Sequence, residues 1–90
     1  MNIAAPVTAS VPLASIARDA AVTIVAIDWT ALSPPEAKRL REFGFDDGVG
    51  VTLIQRAGWL GGPLAVRVGR MDVALRRHVA AAIRVAPVAA

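Results

Sequence analysis

Arg39-Leu40-Arg41-Glu42-Phe43-Gly44-Phe45-Asp46-Asp47-Gly48 reads as the last turn of a helix, a stop, and the launch of a strand. Leu40 and Phe43 lie three apart and so share one helical face. Gly44 can take the left-handed conformation that ends helices and that costs any residue with a Cβ. Phe45 then falls where a side chain packs back on Leu40 and closes the helix end. Gly48 turns the chain once more before Val49-Gly50-Val51-Thr52-Leu53-Ile54. The segment fixes the geometry between one helix and one sheet, and it contains no nucleophile.

Upstream, Ser33-Pro34-Pro35-Glu36 is a helix start: serine caps, proline suits the first helical position, and glutamate at the third completes a capping box. The spacing predicts a helix from Pro34 to about Phe43. So short a helix needs packing of Ala37, Leu40 and Phe43 to persist. Before it, Ala21 to Ile27 reads as a strand, with Val22, Ile24 and Ala26 on one face and Thr23, Val25 and Ile27 on the other. Apolar residues on both faces place this strand centrally. After the junction the period becomes two: Val49, Val51 and Leu53 face one way, Thr52, Ile54 and Arg56 the other.

A glycine-rich loop, Gly58 to Pro63, leads to a strand from Leu64 to Val68, with Leu64, Val66 and Val68 buried. Gly69-Arg70 suits a two-residue type II′ hairpin turn, returning through Met71, Val73 and Leu75. Arg76 to Ala82 predicts one or two helical turns, and Ile83 to Val85 a closing strand ended by Pro87. Near the start, Pro12 to Ile16 suggests a single helical turn with Leu13 and Ile16 on one side, followed by a polar break at Arg18-Asp19. Five short, mostly antiparallel strands, with a helix after the first and a helical turn before the last, predict a small, mainly β, partly closed barrel. The expected organisation is a flexible N-terminal tail over 1–10, one barrel domain over 11–86 and a C-terminal tail over 87–90.

Ninety residues suffice for one small domain. The 56% apolar fraction is rich in alanine and only 4% of residues are aromatic, so Val, Ile and Leu must form the core. The net charge of +3 is unevenly spread: residues 1–50 carry four basic and six acidic side chains, residues 51–90 six and one. A basic C-terminal half suits an acidic partner, nucleic acid or anionic lipid, or simply solubility. With no cysteine, disulfides, thiolate metal sites and cysteine nucleophiles are excluded. The longest apolar run, Ala20 to Ile27, is far short of the ~20 residues that span a bilayer. The N-terminus lacks the positive region of a signal peptide. A cytoplasmic location is expected.

The ordered set of Leu13 and Ile16, Val22 to Ile27, Arg39-Leu40, Phe43-Gly44-Phe45, Gly48, Val51, Gly62-Pro63-Leu64, Val66, Val68, Ala74-Leu75-Arg76-Arg77, Ala80 and Ile83-x-Val85 resembles the FeoA family. These are small cytoplasmic proteins of ferrous iron transport, and the resemblance spans residues 11 to 86. It implies an SH3-like five-stranded barrel with a helix inserted after the first strand. It also implies an accessory protein acting with a membrane Fe(II) transporter that carries a cytoplasmic GTP-binding domain, with transition metal binding known at family level. Two departures stand out: Arg18-Asp19-Ala20-Ala21 replaces a glycine turn before the first strand, and the loop with Trp29 and Pro34-Pro35 is long. A similar domain ends the iron-dependent repressors, which makes a regulatory or nucleic-acid-binding module the alternative.

No residues nominate themselves for catalysis or for a cofactor. His78 is the single histidine and sits beside Arg77, which disfavours a cation. Asp46-Asp47 fall well short of the oxygens a calcium loop supplies and are read as turn residues. Gly58 to Gly62 lacks the Lys-Ser or Lys-Thr ending of a phosphate loop. The strands lack the aromatic residues on which nucleobases stack. Without tyrosine, an aromatic groove for proline-rich peptides is hard to build.

The candidates for partner contact are Trp29, Trp59 and Leu60, large apolar residues in loops, with Arg67, Arg76 and Arg77 for steering toward an acidic surface. Leu40, Phe43, Gly44, Phe45, Gly48 and Pro63 are read as structural. A non-enzymatic interaction module is the leading expectation, with weak self-association left open.

Overall fold

The structure, a computed structural model, describes residues 10–56 and 62–88. Six strands form one sheet: β1 (Val11–Pro12), β2 (Ala21–Ile27), β3 (Gly50–Arg56), β4 (Leu64–Val68), β5 (Met71–Leu75) and β6 (Ile83–Pro87). Helix α1 (Pro34–Phe43) follows β2, and α2 (Arg77–Ala81) precedes β6. The strand order is β1-β6-β2-β3-β4-β5, with every pairing antiparallel. The mainly β architecture matches the sequence reading, but the count of five strands is one short. The sheet also does not close into the expected barrel, since its end strands β1 and β5 do not pair. Val11 and Pro12, the latter read as the start of a helical turn, pair with Val85 and Arg84 before a 3₁₀ turn at Leu13–Ser15.

The helix junction has the form its sequence implies. Ser33 and Glu36 make both bonds of the capping box. At the other end Gly44 adopts φ +89°; its N–H donates to the Arg41 carbonyl at 3.1 Å and the Phe45 N–H to the Leu40 carbonyl at 3.0 Å. This pair of bonds is a Schellman stop. Leu40 and Phe45 are 1% and 2% exposed in the same core. Gly48, at φ +86°, is the third residue of a turn closed by Val49 N–H on the Asp46 carbonyl. Where a glycine turn was expected before β2, Asp19 itself takes φ +66°, with Ala20 N–H bonded to the Ala17 carbonyl and Asp19 N–H to that of Leu53. Aspartate tolerates this region better than most residues.

Two irregularities correct the simple alternation read from the sequence. The β2–β6 register shifts between Ile24 and Ala26, and the β3–β4 register between Leu53 and Gln55. Each shift inserts one residue, and every side chain beyond it changes face. Ile27 is therefore buried and Ala26 only half-buried, the reverse of the expected pattern. Arg56, expected to point outward with Thr52, instead pairs with Leu64 and reaches the N-terminal segment. Its guanidinium donates to the Ala14 carbonyl at 2.7 Å and to that of Ile16. Arg84 donates to the Ser10 carbonyl at 2.6 Å and its hydroxyl at 3.1 Å. Two arginines thus clasp residues 10–16 onto the sheet, and Leu13 within that segment is fully buried.

Candidate functional site

An open cleft of about 1190 Å³ lies beside β5, walled by the end of α1 and the start of α2. Arg39 and Phe43 line it from α1, Met71 and Ala74 from β5, Arg76 and Arg77 from the lead into α2. It continues into a narrower space between α1 and β5, lined in part by Arg39, Leu40, Ala74 and Arg76. The local sequence explains the geometry. The Gly69-Arg70 turn has φ +60° at glycine and no positive φ at arginine, as a type II′ turn requires. It sends β5 back as the last strand of the sheet, and Arg76 caps α2 directly after it.

The charges sort into two classes. Arg67 stands opposite Asp72 on the β4–β5 pair, with Nε to Oδ1 at 2.8 Å and a second guanidinium nitrogen to Oδ2 at 3.1 Å. That hydrogen-bonded arginine holds the Asp72 carboxyl below its ordinary range. Arg67 is therefore occupied in a cross-strand pair and does not present a free charge. With Arg56 and Arg84 clasping the N-terminal segment, three of the six basic residues of the C-terminal half are engaged within the fold. Arg76 and Arg77 have no ion-pair or hydrogen-bond partner for their side chains among the described residues, nor does Arg39.

His78 Nε2 lies 2.6 Å from Glu36 Oε2 and ties α2 to α1 at the end of the cleft. The Ser33 backbone N–H, and after it His78, hold the Glu36 carboxyl below its ordinary value. No group of three or more metal-ligating side chains occurs among the described residues. Likewise, no helix among them is long and apolar enough to cross a membrane.

Of the residues nominated from sequence, the cleft brings together Arg76 and Arg77 and adds Phe43 and Pro63, which had been read as structural. Trp29 lies elsewhere. It is half-buried against the core, and the Arg41 guanidinium sits 4.2 Å from its ring centre, a cation–π stack that occupies one ring face. A separate cleft beside Trp29, with Arg41, Phe45 and Asp46, shares no residue with the one along β5. Trp59 and Leu60 lie outside the described residues. Arg39, Met71 and His78 are contributors that the sequence reading did not place here. The hairpin pattern marked β5 as a strand, but its position at the sheet's end emerges only from the strand order.

A family model for the FeoA domain matches residues 11–87. No curated protein matches the chain. Among solved structures, FeoA from Chlorobium tepidum aligns with a TM-score of 0.74 at 24% identity, over 87% of this chain and 70% of that one. FeoA from Stenotrophomonas maltophilia, complexed with zinc and described as an SH3 domain protein, gives 0.71 at 28% identity, over 83% and 88%. A manganese-dependent transcriptional repressor gives 0.76 at 18% identity, covering 88% of this chain but 42% of its own, a likeness of fold alone.

Proposed function

The chain belongs to the FeoA family, and from that membership we propose that it is a non-enzymatic, cytoplasmic accessory of ferrous iron transport that docks on the GTP-binding region of a membrane Fe(II) transporter. The family match over residues 11–87 carries this reading. The open cleft along β5, with three arginines whose charges are not taken up within the fold, supports a docking role for the domain.

The repressor-like alternative is less favoured. A nucleic-acid surface needs charge spread along a phosphate backbone, whereas Arg56, Arg67 and Arg84 spend theirs on contacts inside the protein. Pull-down with the transporter's cytoplasmic region is the direct test. Retention there, together with reduced iron uptake on deletion of the gene, is the expected result. Absence of binding with unchanged uptake refutes the proposal.

A further inference from the structure

We propose that the outer edge of β5 binds an extended acidic segment of a partner protein as an added strand. The hydrogen-bond parity of the hairpin leads to this site. A two-residue turn makes its flanking residues, Val68 and Met71, a hydrogen-bonded pair, and such pairs alternate along an antiparallel ladder. Val66–Val73 and Leu64–Leu75 are therefore hydrogen-bonded as well. The backbone groups of Met71, Val73 and Leu75 point to β4, and those of Asp72 and Ala74 point away from it. No strand pairs with β5 on that side, and the outward N–H and C=O groups have no backbone partner among the described residues. Both residues border the cleft.

Backbone donors and acceptors keep their demand for partners, and an exposed edge is a template for another strand. At the opposite end of the sheet, β1 is two residues long and includes Pro12, which has no N–H to offer. The β5 edge is thus the one suited to strand addition.

The walls specify the occupant. Arg39, Arg76 and Arg77 bring three positive charges to the cleft, and the one carboxylate of β5, Asp72, is neutralised by Arg67. Met71 is 44% exposed and, with half-buried Phe43, offers apolar contact. An extended segment alternating acidic and small apolar residues satisfies the backbone through its amides and the two kinds of wall through its two faces. A second copy of this chain would bring the same arginines to the cleft, so like-charge repulsion selects against self-pairing. The inference supplies a surface and a mode for the docking proposed above, and rests on that reading only for the identity of the protein that carries the segment.

The probe is an acetylated, amidated heptapeptide alternating glutamate and valine, with its lysine-for-glutamate counterpart as control. Titration is followed by amide resonances and hydrogen exchange of the full chain. The expected result is saturable binding of the acidic peptide, with exchange of the Asp72 and Ala74 amides slowed about tenfold or more, and no binding of the lysine peptide. The double variant Arg76→Glu/Arg77→Glu is expected to weaken binding at least tenfold.

Ala74→Pro removes an outward N–H while sparing the β4 ladder. It is expected to abolish binding with the remaining strand resonances in place; if it unfolds, the arginine variant still decides. Equal binding of the lysine peptide, binding without protection of Asp72 and Ala74, or no binding at millimolar peptide overturns the inference. So does protection of the same amides that rises with protein concentration alone, which would assign the edge to a second copy. If the acidic peptide binds but the transporter's cytoplasmic region does not, the edge site stands and the transporter reading falls.

Discussion

Replacing Gly44 with valine tests whether the helix stop holds the fold together. Apart from Gly44 and its two chain neighbours, no atom lies within 4 Å of a Cβ built there, so the cost of substitution is set by the local backbone. At φ +89° an L-residue is disfavoured by about 1–2 kcal/mol. Loss of glycine's freedom in the unfolded chain returns about 0.4–1 kcal/mol. Alanine should therefore cost about 1 kcal/mol net, and β-branched valine about 2 kcal/mol.

Relaxing the backbone does not avoid the cost. Moving φ to negative values swings the chain that follows Gly44 and breaks the Phe45 N–H bond to the Leu40 carbonyl, worth about 1 kcal/mol. It also displaces Phe45, among the most buried side chains of the core. At about 4–8 °C per kcal/mol for a domain of this size, Gly44→Val should lower Tm by about 8–16 °C. Asparagine, which tolerates the left-handed region, should lose less than alanine despite its greater size. Thermal and urea unfolding of the series supply the test. A valine variant within 0.5 kcal/mol of the parent, or asparagine costing as much as valine, refutes the assignment of this stop.

Arg56→Met removes both donors from the Ala14 and Ile16 carbonyls and should cost about 2 kcal/mol in urea unfolding, since hydrogen bonds from charged groups contribute about 1.5–3 kcal/mol. Faster amide exchange around Leu13 should accompany it. Asp19→Gly relieves an L-residue at φ +66° and should be neutral or stabilising by up to about 1 kcal/mol, whereas Asp19→Val should destabilise. Glu36 and Asp72 both have carboxyl pKa values lowered in the fold. Their stabilisation is therefore present above the ordinary carboxylate range and lost as pH falls through the folded values, so urea midpoints should hold from pH 7 to 5 and drop below about pH 4. Glu36→Gln should flatten part of that drop, and an unchanged acid limb would show that the capping glutamate does not contribute.

Much of the fold was legible because its signals are local. The Ser33–Glu36 box, the Gly44 stop and the Gly69-Arg70 turn each depend on a few adjacent residues, and α1, β4 and β5 fall where those signals put them. What the sequence concealed is not local. A bulge leaves no residue-type mark in Val22–Ile27 or Gly50–Arg56, since valine, isoleucine and threonine suit either face. The switched faces of Ile27 and Arg56 follow from register against β6 and β4. Strand β1 was missed because two residues have no period, and its pairing partners lie more than seventy positions away. Arg56 and Arg84 looked like part of an undifferentiated basic half for the same reason: their acceptors lie about forty or more positions away and come into reach only once the sheet is assembled. Arg67 differs, because its acceptor Asp72 lies five positions on, directly across the Gly69-Arg70 hairpin.

The junction around Gly44 and the cleft along β5 are one construction. Arg39 and Phe43 belong to the last turns of α1, and both line the cleft. The stop that terminates α1 therefore also fixes one wall of the docking surface. The His78–Glu36 contact ties the opposite wall to the first turn of the same helix. Neither Gly44 nor Glu36 has to touch a partner to affect its binding. The Gly44 series should accordingly weaken capture of the acidic peptide in step with its loss of stability. Arg76→Glu/Arg77→Glu should weaken it with stability little changed, because those side chains have no partner within the described fold. If the two sets of variants instead fall on a single line of affinity against stability, the arginines act through the fold and not through the occupant's charge.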